Sequence, residues 1–508
     1  MNRIISDNSG LFVALATAAA LKAALLIMNV VPFNADEAIV ALMARHILQG
    51  ERPVFFYGQA YLGSLDAWLI AGAFLLLGQT VLAIRVVQTV LYLGTVATTY
   101  ALGLRIYGER WTATAAALLM AIPPVMVALY TTATLGGYGE TLLMGNVLLL
   151  WAIRLRETGA GANPSIADAT RSIADATRRG SYGEWVTFGL LAGIGFWAFG
   201  LLAVYLVPIV VALVSPVFNR EGRFAKGAKF SYLISLRDLR AFAVNIIFAF
   251  AGFAFGSSPW WWATIFGGAA TVSELAGSAI AGATSSSPLA GAAFHLFNLI
   301  VLGLPVIIGL RPPWAVRWLA LPLAPLAMAI FFGAVGRAVV VAFRGSEGDR
   351  KSRRYGSLLI GVCITLIAAF VFTPFGADPS GRYFLPLAAP VALFTADLLS
   401  RVRKEYPRIA LALLGGLLLF NLWGNLDATL TFPSWLKRNP GTCVGLTIFD
   451  MDLYQPTRQV LEAVLPRMPK GSVLVFDEFC YDPFPGEFMA VQEVLGIHNL
   501  RMRQDPNQ

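Results

Sequence analysis

Charge is scarce in this sequence. Of its 508 residues only 13% are charged, while 57% are hydrophobic. A soluble domain carries roughly 25% charged residues, so the composition excludes a single water-soluble globule. Cysteine is scarce as well. Cys363, Cys443 and Cys480 lack the spacing of a metal ligand set or a redox pair, and no role is assigned to them. Short segments of alternating hydrophobicity, the mark of a membrane β-barrel, are missing. So is a small-residue cleavage site after the weakly basic MNRIISDNSG, which therefore reads as a signal anchor rather than a cleaved peptide.

What the chain does have is apolar blocks of membrane-spanning length, about 20 residues each. Leu11–Val31, Trp111–Tyr130, Leu289–Leu310 and Ile409–Leu422 are examples. In lipid every backbone polar group must be paired within its own segment, so such blocks are helices. Further spans are expected at 81–104, 138–153, 241–256, 318–340, 356–374 and 384–400, with 185–217 read as two short helices broken near Gly200. The expected fold is an all-α polytopic membrane protein with about 11–13 spans. The net charge of +9 is uneven: the stretch from Gly441 onward carries −4, which leaves +13 on the rest. That excess sits in short loops, around Arg154–Arg179, Arg220–Arg240, Arg350–Arg354 and RVRKEYPR. It marks cytoplasmic loops rather than a nucleic-acid surface. The C-terminus then falls outside. The heptapeptide SIADATR, repeated at 165–171 and 172–178, reads as a duplication in a tolerant loop, and the Gly/Ser/Ala-rich stretch 266–288 as another loop.

The stretch 32–62 is too polar to span. Its DEAIVALMARHILQG has helical periodicity and ends at Gly50, so a short helix on the outer membrane face is expected. The apolar stretch 62–78 contains Asp66 and reads as a second interfacial helix. Asp36 and Glu37 follow the first span directly. Two readings stand side by side: acidic groups that complement a helix N-terminus, and a general base that takes a proton from an acceptor hydroxyl.

The stretch from NADEAIVALMARHILQGERPVFFYGQAYLGSLDAW to Arg85 resembles the first external loop of the GT-C glycosyltransferases. These include the protein O-mannosyltransferases and the enzymes that put aminoarabinose on lipid A. The shared elements are Asp-Glu after the first helix, a small helix ending in Gly, a proline, an aromatic stretch, an apolar helix ending at Gly78, and the Arg that opens the next span. The run Arg382–Pro386 fits the family's penultimate region. The resemblance covers roughly residues 10–425 and implies a transmembrane domain over 1–430. It also implies transfer of a sugar from a polyprenyl-phosphate donor to a hydroxyl of a lipid, glycan or protein. The external face of the cell membrane is the expected place, and inverting displacement the mechanism; no covalent nucleophile is visible.

By the same resemblance Asp36 is the base, Glu37 shapes the site, and Glu140 takes the place of a second acidic residue. Arg382 is the candidate for the donor phosphate, because its planar fork suits phosphate oxygens; an arginine snorkelling to the interface is the competing reading. Arg45 and His46, placed about one turn along from Asp36, are weaker candidates. Tyr57, Gln59 and Tyr61 would contact a sugar, or belong to an interfacial aromatic belt. No cofactor is certain. Some relatives in the class use a divalent metal, and too few carboxylates gather here to propose a site. The alternative reading of the whole is a lipid or solute transporter or flippase, against which stands the lack of matching halves. A non-catalytic scaffold is a third.

Beyond residue 440 the composition becomes that of a soluble segment. DMDLYQPT, KGSVLVFDE and PGE resemble the C-terminal half of macrocin-type O-methyltransferases over 441–508, where Asp450, Asp477 and Glu478 would be the metal candidates. The Gly-rich turn that cradles the cofactor is missing, and the tail is too short for a full core of its own. The tail reads as a small α/β segment, with a helix over Pro456–Leu465, a turn at Pro469–Gly471, a strand over Ser472–Phe476 and a helix near Glu487, and no methyl transfer is expected.

Overall fold

The computed structural model describes residues 8–28, 31, 33–160, 182–218, 236–266, 288–313, 317–344, 350–378, 380–428, 443–449, 454–476 and 486–496. The doubled SIADATR, the stretch 267–287 and the three acidic residues Asp450, Asp477 and Glu478 lie outside the described residues.

Helix α1 (Ser9–Ile27) has Lys22 as its one charged residue. It stops before the Val31 that the apolar run suggests. The small helix α2 (Ala35–Leu48) starts where Asn34 caps it, with Asn34 Oδ1 accepting the Glu37 N–H at 2.9 Å. Asp36 and Glu37 fill its first turn and Arg45 and His46 its last, each sign at the end the dipole favours. Asp36 and His46 are therefore about 15 Å apart at 1.5 Å per residue, which corrects the expectation that Arg45 and His46 stand about one turn from Asp36. An antiparallel hairpin follows, β1 (Phe55–Phe56) and β2 (Gln59–Gly63), and then α3 (Leu65–Leu77).

Helix α4 (Val81–Tyr107) has 27 residues, about 40 Å at the standard rise. Near its start Arg85 meets α2, and at its far end Arg105 meets Glu157. The expected span 111–130 is broken. It becomes α5 (Arg110–Ala121) and α6 (Val125–Tyr130) around Pro123-Pro124. Proline cannot donate and clashes with the preceding turn, which strands carbonyls in an apolar setting. Asn421 Nδ2 donates to the Ile122 carbonyl and Asn425 Nδ2 to that of Pro123, each at 2.8 Å.

Helix α7 (Tyr138–Ala160) precedes α8 (Tyr182–Ala198) and α9 (Ala203–Phe218), which are separated by a 3₁₀ turn at Gly200–Leu202, where the break near Gly200 was expected. Helices α10 (Leu236–Gly256) and α11 (Ser258–Phe266) follow, the latter carrying the Trp cluster. Next come α12 (Pro288–Asn298), a π-helical turn Leu299–Gly303, α13 (Leu304–Ile308), α14 (Ala324–Arg344) and α15 (Arg350–Phe372). Two 3₁₀ turns, Pro374–Ala377 and Arg382–Leu387, lead into α16 (Ala388–Glu405) and α17 (Pro407–Ala428). One continuous buried cluster runs from Ala14 to Phe420. Among the described residues seven helices are long and apolar enough to cross a membrane, and three more are apolar but shorter.

In the tail, β3 (Leu446–Phe449) and β4 (Val473–Phe476) pair in parallel, with α18 (Tyr454–Val464) between them in sequence and α19 (Gly486–Val494) after them. Helix, turn and strand fall where the sequence placed them. The fully buried hydrophobic cluster of this part is small, namely Leu461, Ala490 and Val491.

Helices α8 and α10 pack backbone against backbone. A Cβ on Gly193 would lie 2.2 Å from the Phe253 carbonyl oxygen, and one on Gly252 2.1 Å from that of Val186. Gly193→Val forces the pair apart, and the expected loss is about 1–3 kcal/mol, read as a lower melting temperature of the detergent-solubilised protein. An unchanged melting temperature contradicts the packing.

Candidate functional site

The N-terminus of α2 divides its two carboxylates between two layers. Glu37 points inward and is fully buried. Arg85 grips it in a fork, Nε to Oε1 at 3.2 Å and Nη2 to Oε2 at 3.0 Å. The backbone N–H groups of Asn34 and Thr134 donate to the same carboxylate. With the Asn34 side chain on the Glu37 N–H, this is a reciprocal capping box extended by a guanidinium. Burial pushes the Glu37 carboxyl up from its usual value, and the Arg85 hydrogen bonds and charge pull it back down.

Behind this layer stands a second one. Gln88, one turn along α4 from Arg85, donates to Asp66 Oδ1 at 2.9 Å, and the Thr134 hydroxyl donates to Asp66 Oδ2. Glu140 is buried against Asp66. Glu140, the candidate second acidic group, thus lies inward, close to Asp66. The segment that brings Thr134 here turns through two consecutive left-handed glycines, Gly136 (φ 72°) and Gly137 (φ 70°). A Cβ on Gly136 would press on Leu62, and one on Gly137 on the Ala198 carbonyl, both at 2.8 Å.

Asp36 is half-buried on the outer side of the same turn. It lies within electrostatic reach of Arg382 and of the Tyr130 hydroxyl. Arg382 opens the 3₁₀ turn before α16 and is oriented by Asp378, whose Oδ2 accepts from Nε at 2.7 Å. Asp378 Oδ1 accepts the Ser380 N–H at 2.7 Å, and Tyr130 hydrogen-bonds Ser380. Tyr138 and Tyr383 flank the same guanidinium, Tyr61 is a neighbour of both tyrosines, and it meets Phe375 edge-on at 6.4 Å. Asn298 Nδ2 donates to the Gly376 carbonyl at 3.1 Å and His295 Nδ1 lies 3.0 Å from that of Val371, which fixes the turn before Asp378.

A second arginine joins from the turn just after α13. Arg311 is buried, its Nε donates to the Leu302 carbonyl at 3.1 Å, and its charge reaches Tyr130. Leu302 belongs to the π-helical turn, whose altered hydrogen bonding leaves a carbonyl to receive a side chain. A small apolar cavity of about 70 Å³ is lined among others by Met126, Val127, Ile307, Ile308, Phe384 and Leu387, which are close along the chain to Tyr130, Arg311 and Arg382.

The fold thus brings Asp36, Arg382 and Tyr61 together, with Glu37 directly behind. Arg45 is exposed at the other end of α2. There His46 Nδ1 is 2.9 Å from the Tyr57 hydroxyl, which donates to Glu51 at 3.1 Å. Gln59, half-buried, starts β2 at the hairpin turn. Arg311, Tyr130 and Asp378 were missed in the sequence. For Arg311 the signal was an arginine closing a span, the counterpart of Arg382 opening one. Among the described residues no group of three or more His, Cys, Asp or Glu is placed to hold a metal ion. Asp66, the carboxylate beside Glu140, is already engaged by Gln88 and Thr134. The donor set does not fit a divalent cation, and no step is derived through one.

Arg85→Met leaves a carboxylate buried without its fork and should cost about 3–5 kcal/mol. The loss depends on pH. Without Arg85 the Glu37 carboxyl of the folded protein rises further above its ordinary 4.5. Below that pH Glu37 is protonated folded or unfolded and the variant's deficit is small; it grows as the pH rises. Melting temperatures of both proteins across the pH range check this, and a deficit independent of pH contradicts it.

No protein-family model and no curated protein sequence matches the chain. Its fold does match solved structures. One is the archaeal oligosaccharyltransferase AglB from Archaeoglobus fulgidus in complex with an inhibitory peptide and a dolichol-phosphate, with a TM-score of 0.50 and 14% identity over 96% of this chain and 68% of that one. ArnT from Cupriavidus metallidurans bound to undecaprenyl phosphate gives a TM-score of 0.51 and 12% identity over 96% of this chain and 88% of that one. The chain carries the fold of the GT-C glycosyltransferases, built around an Asp-Glu pair at the start of a small helix after the first span.

Proposed function

We propose that the chain is a membrane glycosyltransferase that moves a sugar from a polyprenyl-phosphate donor to a hydroxyl acceptor at the external membrane face. The observation that carries this reading is that Asp36 comes within electrostatic reach of Arg382, whose chain neighbours Phe384 and Leu387 line an apolar cavity. The two similar structures support it, since one holds dolichol-phosphate and the other undecaprenyl phosphate.

The parts divide the chemistry among them. The apolar chain of the donor lies along the residues that line the cavity, and Arg382 and Arg311 meet its phosphate. Asp36 removes a proton from the acceptor hydroxyl, whose oxygen attacks the anomeric carbon from the face opposite the phosphate. The bond between that carbon and the phosphate oxygen breaks with inversion. The leaving charge spreads over the phosphate oxygens, where preorganised guanidinium donors stabilise it more than they stabilise the bound donor. Glu37 touches neither substrate in this scheme; it holds α2 so that Asp36 stands at the right place. Tyr61 is the aromatic closest to the sugar. Residues 1–430 form the transferase domain. Residues 441–508 form an accessory segment without methyl transfer in this reading, because the Gly-rich turn that cradles the cofactor is missing from their sequence. Placement of the site outside rests on the basic loops at the opposite ends of the helices.

Asp36→Asn should lower transfer by about 10³-fold while the protein stays folded in detergent. Arg382→Ala should raise the donor KM more than the acceptor KM. Both are read by incubating purified protein with a panel of polyprenyl-phosphate sugars and following products by mass spectrometry. Full activity of Asp36→Asn removes Asp36 as the base, and an unchanged donor dependence removes Arg382 from the phosphate.

A further inference from the structure

Lys22 lies mid-way along an otherwise uncharged first helix and is 2% exposed. A buried ammonium is expensive unless every donor is satisfied. Here all three are. Lys22 Nζ donates to the Ala128 carbonyl at 3.1 Å, to Thr131 Oγ1 at 2.8 Å and to Thr132 Oγ1 at 2.7 Å. It also stands 4.4 Å from the centre of the Tyr92 ring, whose hydroxyl bonds the Met120 carbonyl. The acceptors are neutral and all lie in one place, the C-terminal end of α6, where the helix dipole is negative. The two threonine hydroxyls in turn donate to the Val127 and Ala128 carbonyls. One side chain of α1 therefore closes the end of a helix of six residues, too short to hold its form unaided.

What this clamp controls is the segment on either side of it. Tyr130, between the clamped residues, directs its hydroxyl to Ser380 within reach of Asp36 and Arg382. Thr134, just beyond, gives its N–H to Glu37 and its hydroxyl to Asp66. Nothing else in α1 is charged, so a lysine kept here at such a desolvation cost needs a return beyond the packing of α1. We propose that Lys22 is a positioning residue for the transfer reaction, locking the Ala128–Thr132 turn so that the Tyr130 hydroxyl is aimed at the donor phosphate between Asp36 and Arg382. This rests on the glycosyl-transfer reading of the site. Lys22 itself touches no substrate.

The test is a double-mutant cycle on the full-length protein with the donor that the wild type uses best. Lys22→Met and Tyr130→Phe should each lower kcat/KM for the donor by about tenfold, and the double variant should fall no further than about twofold below the weaker single one, because both remove the same interaction. A lysine that merely holds the fold together gives losses that multiply, and that result overturns the proposal, as does full activity of Lys22→Met. If Lys22→Met does not fold, the variant with Thr131→Val and Thr132→Val keeps the lysine, removes two of its acceptors, and enters the same cycle with the same two outcomes. A second readout does not need activity. With 3-fluorotyrosine placed at position 130, the fluorine resonance should move in Lys22→Met, or in the valine pair, and stay in Lys404→Met, whose lysine pairs with Glu109 at the opposite end of α4. An unmoved resonance overturns the proposal. A wild type that transfers from no donor, with the resonance still moved by Lys22→Met, sinks the glycosyl-transfer reading and leaves the clamp standing.

Discussion

A buried carboxylate has to be matched by donors, and Glu37 is matched by four: two from Arg85 and the backbone N–H groups of Asn34 and Thr134. These donors come from three different parts of the chain. The first caps α2, the second opens α4, and the third lies in the loop before α7. Fixing one carboxylate therefore fixes the angle of a small interfacial helix against two neighbours. Its sequence neighbour Asp36 is left on the outer side of the same turn, opposite Arg382. The division of labour between two adjacent acids follows from helix geometry: consecutive residues point about 100° apart, so one can be sealed in while the next stays at the aqueous edge.

The same demand for pairing explains other irregular features near the site. At three helix breaks a side chain donates to a freed carbonyl. Asn421 and Asn425 serve the Pro123-Pro124 break, Arg311 serves the π-helical turn, and Lys22 serves the end of α6. In water these groups would be solvated at no structural expense. In an apolar surround each becomes a fixed tie between distant segments, and the ties converge on the ends of helices where the candidate chemistry lies. The breaks place Tyr130, Arg311 and Arg382 on or beside short turns rather than within long spans; Tyr130 and Arg382 come within electrostatic reach of Asp36, and Arg311 within reach of Tyr130.

Much of this was legible in the sequence because the bilayer imposes simple rules. Long apolar blocks gave the helices, and the Asn34–Gly50 stretch gave the capped helix with Asp36 and Glu37 in its first turn. Arg85 and Arg382 stood out through the resemblance, one as the residue that opens the span after Gly78 and the other within the run Arg382–Pro386. The pairing of those charges was not legible. Nothing local says that Arg85 takes Glu37 while Arg382 takes Asp378, or that Glu140 turns inward to Asp66, since each partner comes from a distant segment. The broken span at 111–130 was missed because hydropathy does not register a Pro-Pro kink whose carbonyls are satisfied from α17. Arg311 closes an apolar block in the sequence, but its bond to the Leu302 carbonyl depends on a π-helical turn that no sequence feature marks. The separation of His46 from Asp36 follows from counting residues along one helix.

The central claim is that Asp36 and two arginines face a lipid-borne phosphate at the mouth of the apolar cavity. Electron cryo-microscopy of the full chain in lipid nanodiscs, with undecaprenyl phosphate added, addresses it directly. The account places the phosphate oxygens about 3 Å from the guanidinium groups of Arg382 and Arg311, with the isoprenoid chain along Met126, Ile307 and Phe384 and Asp36 open to the same space. Density for the lipid phosphate elsewhere, or an Asp36 walled off from the cavity, contradicts it.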